Sequence, residues 1–161
     1  MRLILLGNAG AGKSTMARQI IGSANIPHLS LDTIAWDEGP KRKPFEASVR
    51  QLRDFIQAND QWIIEGCYSD LVEVALPYCT ELRLLNPGVE VCVAHCHRRP
   101  WEPEKFSSPK NQNAMLDQLI QWAQDYDSRD DEFGLKRHLQ LFDSFRGLKR
   151  EYSSVVSYDE G

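Results

Sequence analysis

Apolar positions fall in short blocks separated by glycine, proline and polar turns. Leu3 to Leu6 is an unbroken apolar run closed by Gly7, which predicts a buried strand over 2–6. A helix follows over 13–21, ended near Gly22 and cut off by Pro27. A second strand is expected over 28–31, closed by Asp32, and a basic loop over 40–44 carries Lys41, Arg42 and Lys43. Phe45, Val49, Leu52 and Ile56 then recur at helical spacing and mark an amphipathic helix over 44–59. Trp62, Ile63 and Ile64 lie in a third strand, 61–65, which ends on the carboxylate of Glu65.

The second half repeats the alternation. A short helix is expected over 71–78, stopped near Pro77, and a fourth strand over 81–85, ended by Asn86-Pro87-Gly88. A helix from 89 to about 97 is broken by Pro100 and Pro103. Leu116, Leu119, Ile120 and Ala123 mark a helix over roughly 112–126, followed by an acidic stretch, 125–132, that contains Arg129. Leu135, Leu139 and Phe142 mark one more helix, and 152–158 reads as the last strand. Strands alternating with helices predict an α/β fold of three layers, a central parallel sheet of about five strands covered on both faces. No linker interrupts the pattern, so a single domain over 1–161 is expected.

Composition narrows the class. A chain of 161 residues is of one-domain size and buries roughly 68–70% of its unfolded surface, enough for a core without disulfides. With 42% hydrophobic and 26% charged residues it is neither collagen-like, coiled-coil nor wholly disordered. A net charge of −4 argues against a nucleic-acid partner, which needs a basic footprint. The run Leu3–Leu6 is too short for a signal sequence or a membrane span, so a soluble cytoplasmic protein without a membrane partner is expected. Cys67, Cys79, Cys92 and Cys96 are irregularly spaced and are expected as thiols.

The chemistry starts at the first turn. Gly7-Asn8-Ala9-Gly10-Ala11-Gly12-Lys13-Ser14, continuing into Thr15, is two glycines flanking four residues and then Lys and Ser. That pattern binds phosphate, and here it follows a strand and opens a helix, as the chemistry requires. Glycines permit backbone conformations closed to other residues, so successive N–H groups can point inward at a polyphosphate. The helix N-terminus adds partial positive charge. Lys13 is suited to the terminal phosphates and the Ser14 hydroxyl to magnesium.

The stretch Leu3-Ile4-Leu5-Leu6-Gly7-Asn8-Ala9-Gly10-Ala11-Gly12-Lys13-Ser14-Thr15-Met16-Ala17-Arg18 resembles the small P-loop kinases, such as shikimate kinase, gluconate kinase and adenylate kinase. Leu31-Asp32-Thr33-Ile34-Ala35-Trp36 and Trp62-Ile63-Ile64-Glu65-Gly66-Cys67-Tyr68 are similar to a bacterial subgroup labelled topology-modulation or shikimate-kinase-like. The resemblance covers about the first 105 residues. It implies the P-loop NTPase fold, ATP and Mg2+ as the nucleotide and metal, and a small-molecule acceptor. It also places a short arginine lid at about 95–111.

Asp32 and Glu65 each end a predicted strand, at the edge where parallel sheets bind ligands. One carboxylate there can position magnesium and the other can accept a hydroxyl proton. By resemblance Asp32 is the base or acceptor anchor, and Glu65, where the subgroup has Asp, faces the metal or the acceptor. Shikimate kinases pair two acids one residue apart after strand two; Asp32-Thr33-Ile34 does not, which argues against shikimate. Nucleoside monophosphate kinases carry Asp-Gly-Phe-Pro-Arg after strand three; Glu65-Gly66-Cys67-Tyr68-Ser69 lacks that arginine. The acceptor stays open, as does the oligomeric state.

His97-Arg98-Arg99-Pro100-Trp101 falls where these kinases place the lid, so Arg98 or Arg99 is expected over the transferring phosphate. Arg129 is better explained as an ion pair with its acidic neighbours. Cys92, His95 and Cys96 share a helical face but lack the paired spacing of a zinc site. Arg50 and Arg53 read as a solvated face, while Trp36 and Trp101 are candidates for stacking on an acceptor and Trp62 and Trp122 for the core. The expected activity is ATP-dependent phosphotransfer to a small molecule. The alternative is an ATP-binding regulator with little or no turnover, kept open because the chain stops where related kinases often continue to build the adenine wall.

Overall fold

The computed structural model describes residues 1–37, 41–104 and 106–160. Pro40 of the expected basic loop and Lys105 of the expected lid lie outside them. Five strands form one sheet: β1 (Arg2–Gly7), β2 (His28–Ser30), β3 (Trp62–Gly66), β4 (Glu81–Leu85) and β5 (Leu148–Tyr152). Their order is β2-β3-β1-β4-β5, and every neighbouring pair is parallel. Eight α-helices accompany them among the described residues: α1 (Lys13–Ile21), α2 (Asp32–Ala35), α3 (Phe45–Ala58), α4 (Ser69–Ala75), α5 (Val89–His97), α6 (Pro109–Ala114), α7 (Leu116–Gln124) and α8 (Leu135–Ser144).

Side chains alternate across the sheet and divide the core into two layers. Ile4, Leu6, Ile64, Leu82 and Leu84 pack toward Val49, Leu52 and Ile56 of α3, Leu71 and Val72 of α4, and Leu141 of α8. Leu3, Leu5, Ile63 and Leu85 pack toward Met16 and Ala17 of α1 and Cys92 of α5. Central strands covered on both faces are largely apolar, which is why β1 reads as a continuous run. A third cluster joins Cys96 of α5 to Ala123 of α7, with Ala9 of the glycine loop between them. The result is the three-layer α/β fold expected from the alternation.

Several boundaries differ from the sequence reading. The last strand is not 152–158 but Leu148–Tyr152, and Val155–Glu160 is a 3₁₀ segment. As an edge strand β5 buries only Tyr152, so its charged residues mask the signal, while exposed Val155 and Val156 imitate one. The helix expected over 112–126 begins earlier, at Pro109, where the Ser108 hydroxyl accepts the Asn111 N–H at 3.1 Å; the helical run divides at Met115. The helix expected over 71–78 starts at Ser69 and tightens into a 3₁₀ turn at Leu76–Tyr78, and one-turn α2 was not foreseen.

Candidate functional site

The glycine loop leaves β1 and enters α1 at the C-terminal edge of the sheet. Gly10 and Gly12 have φ of +77° and +94°, values that disfavour any side chain. A Cβ at Gly10 would also collide with the Cys92 carbonyl oxygen of α5. Asn8 donates from Nδ2 to the Ala123 carbonyl of α7 at 2.9 Å, and Ala11 N–H closes a turn on the Asn8 carbonyl at 3.2 Å. Lys13 is buried, with Nζ 2.6 Å from the same Asn8 carbonyl. Thr15 is exposed on the first turn of α1.

Register explains the next contact. Glu65 pairs with Leu5 and so faces the α1 side of the sheet, although it sits in a fully buried strand. Its carboxylate, 3% exposed, accepts the Ser14 hydroxyl at 3.0 Å. Both residues expected at a metal are thus together, and both offer oxygen, the donor magnesium prefers. Next to them opens a cavity of about 290 Å³, lined by Arg18, His28, Ser30, Thr33, Glu102 and Glu104 as well.

Asp32 opens α2 directly after β2. Its Oδ1 accepts the Tyr68 hydroxyl at 2.5 Å, and Tyr68 in turn accepts the Trp36 indole N–H at 2.7 Å. Burial first, and then the Asp32 charge, push the Tyr68 hydroxyl well above the usual tyrosine range, so it stays a donor. Cys67 lies among Lys13, Asp32 and Glu65, whose charges all act on it; burial dominates and pushes its thiol up to about 12. Lysine, both carboxylates and the glycine loop therefore share one end of the sheet.

Tyr68 belongs to a larger support that spacing along the chain does not show. Arg42 stacks on the Tyr68 and Phe133 rings and grips both Asp70 oxygens, at 2.8 and 3.0 Å. Below the turn after β3, fully buried His138 donates from Nε2 to the Cys67 carbonyl at 2.8 Å and accepts the Tyr126 hydroxyl on Nδ1 at 2.7 Å. Burial lowers the His138 pKa to about 4, so the ring is neutral and makes both bonds.

The two lid arginines are placed differently. Arg98 ends α5 and is exposed. Arg99 is half-buried, pairs with Glu102 at 3.6 Å, and acts electrostatically on Cys96, which abuts Gly10. Among the described residues, neither arginine hydrogen-bonds to the glycine loop. Arg129 pairs with Asp131 at 2.7 Å and stacks on Trp122 at 3.9 Å, the ion pair expected of it. Trp62 is fully buried, Trp36 and Trp101 are exposed, and Arg50 and Arg53 face solvent. No helix among the described residues is long and apolar enough to cross a membrane.

No family model matches the chain, and no curated protein sequence matches it. Solved structures with a similar fold include a sugar kinase from Janibacter sp. HTCC2649, at TM-score 0.49 and 15% identity over 74% of this chain and 90% of that one. A shikimate kinase from Bacteroides thetaiotaomicron scores 0.49 at 20% identity, over 75% and 76%. A gluconokinase from Sinorhizobium meliloti 1021 scores 0.48 at 14% identity, over 97% and 85%. At these scores and identities they decide neither activity nor substrate for this chain.

Proposed function

We propose that this chain is a phosphotransferase, a single domain that moves the γ-phosphate of ATP to a small-molecule acceptor. The observation that carries the reading is the Ser14–Glu65 contact of 3.0 Å at the mouth of the glycine loop, with Asp32 at the neighbouring strand end. A hydroxyl and a carboxylate meeting there form an all-oxygen donor pair beside a phosphate cradle, and Asp32 supplies a second carboxylate on the acceptor side.

In this reading the loop amides and the α1 N-terminus grip the phosphates, and Lys13 swings from the Asn8 carbonyl to the β- and γ-phosphate oxygens. Ser14 and Glu65 hold magnesium, which when bound neutralises charge on those oxygens. Asp32, oriented by Tyr68, accepts the proton of the acceptor hydroxyl as it attacks phosphorus in line. Arg99 leaves Glu102 and turns toward the transferring group, where a planar, permanently charged guanidinium stabilises redistributed charge. Closure of the 95–111 segment excludes water, the competing acceptor.

The test is calorimetric titration of magnesium-ATP into wild type and Lys13→Ala. A ligand at a hundred times its Kd stabilises the native state by about 2.7 kcal/mol, so a parallel melting experiment reads the same event. Wild type should bind and be stabilised. The variant should keep its fold and lose the binding. A melting curve unmoved by millimolar purine nucleotides contradicts the reading.

A further inference from the structure

We propose that His95 and Tyr158 are positioning residues for phosphate binding, bracing two successive peptide units of the glycine loop from its outer side; this rests on the phosphotransferase reading of that loop. The Gly10 carbonyl lies 2.7 Å from His95 Nδ1, and the Ala11 carbonyl accepts the Tyr158 hydroxyl at 2.6 Å. A carbonyl oxygen only accepts, so His95 carries its proton on Nδ1.

Peptide geometry turns these contacts into a device. In a trans peptide the C=O and N–H point to opposite sides. Pinning the Ala11 carbonyl outward aims the Gly12 N–H inward, toward the phosphate cradle. Pinning the Gly10 carbonyl outward turns the Ala11 N–H inward, where it closes the loop on Asn8 at 3.2 Å. Gly10 and Gly12, with φ of +77° and +94°, flank these peptides, and glycine restricts its backbone less than any other residue. A cradle of N–H groups is useful only if its donors are already aimed, because re-aiming them on binding costs affinity.

The two braces come from elements far from the loop in sequence. His95 projects from α5, whose backbone closes tightly on Gly10. Tyr158 lies in the 3₁₀ segment after β5, 147 residues from Ala11. Its ring rests on Gly12, where a Cβ would come within 3.2 Å, and stands edge-on to buried Tyr152 at 5.6 Å. Burial raises the Tyr158 hydroxyl above the usual tyrosine range, which keeps it a donor.

The experiment titrates inorganic tripolyphosphate, which has phosphates and no base, and then ATP, into the full chain by calorimetry. Tyr158→Phe keeps the ring and loses the donor; His95→Leu loses the other donor. Each should weaken both ligands about fivefold, the effect of one net hydrogen bond. His95→Asn, which restores an N–H near the Nδ1 position, should recover most of the loss. A merely structural contact would lower the unliganded melting temperature and leave tripolyphosphate affinity alone. Unchanged affinity in Tyr158→Phe and His95→Leu overturns the brace, as does His95→Asn binding no better than His95→Leu. Wild type that binds neither ligand removes the phosphotransferase reading, and the brace with it.

Discussion

Tyr68 donates its hydroxyl to Asp32 over 2.5 Å, and the two residues are 36 positions apart in the chain. The bond fixes the carboxylate at the end of β2, beside the glycine loop. Trp36, on the far side of α2, holds the tyrosine in turn.

Tyr68→Phe removes the donor and keeps the ring against Phe133. A group that orients a base acts on the chemical step more than on nucleotide binding. The expected result is a fall in kcat of about tenfold, from loss of one hydrogen bond to a charged group, with the KM for ATP within about twofold. Steady-state kinetics with a turned-over acceptor checks it. A selective rise in the ATP KM would place Tyr68 in nucleotide binding instead.

Glu65→Gln tests the metal. The side chain keeps its size and its bond to Ser14 but loses the charge that attracts a hard cation. Magnesium should raise the melting temperature of the wild-type ATP complex, and EDTA should abolish the increment. In Glu65→Gln the ATP effect should persist and its magnesium dependence should largely vanish. An undiminished magnesium increment would move the metal elsewhere.

The arginines separate by position. Arg99, just after α5, is half-buried and paired to Glu102, and Arg98 faces solvent. Arg99→Ala should therefore cost at least about a hundredfold in acceptor-dependent kcat, conservative against the 10³–10⁵ seen for arginine fingers. ADP affinity should change by less than about tenfold, since loop amides and Lys13 supply most of the grip. Arg98→Ala should change kcat by less than about threefold, in the range of a solvated charge. Kinetics and ADP calorimetry on both variants decide it, and a larger loss in Arg98→Ala would reverse the assignment.

His138 makes stability depend on pH. Its folded pKa, about 4, is below its ordinary value of 6.5, so the unfolded chain binds the proton first. The contribution is full above pH 6.5 and is lost as pH falls toward 4, by about 3 kcal/mol at about 1.4 kcal/mol per unit. Glu132 works the other way. A hydrogen bond with Asp70 and then burial raise it to about 7, so its contribution is present below 4.5 and lost as pH rises through 7. Its side chain is 37% exposed, so solvent screens it and the histidine dominates. Urea unfolding at pH 7 and pH 4.5 should show the drop in wild type and a flatter profile in His138→Gln. Equal drops in both would take the pH dependence away from His138.

What could be read from the sequence follows from where local signals are strong. β1, α1, β4 and α5 begin and end within a residue of expectation because glycine and proline punctuate them and their apolar faces are continuous. The position of the glycine loop between β1 and α1 was legible from its spacing, and that of Glu65 at the end of β3 from the apolar run before it, but the hydrogen bond between Ser14 and Glu65 was not. β5 was misplaced because an edge strand has no apolar periodicity to display. Tyr68, His138, His95 and Tyr158 were not legible as site residues. Each acts across 36 to 147 positions through a contact that only the folded sheet creates.

The measurement closest to the central claim is ADP release from magnesium-ATP across a library of small hydroxyl- and phosphate-bearing acceptors. Wild type should release ADP only when a particular acceptor is present, at a rate well above its hydrolysis of ATP alone. Lys13→Ala should release none, and Asp32→Asn, which keeps the Tyr68 contact but cannot take a proton, should lose at least about a hundredfold, within the 10²–10⁴ usual for a general base. Tight ATP binding by wild type with no acceptor-dependent ADP from any member of the library would contradict the account and make the chain a nucleotide-binding regulator.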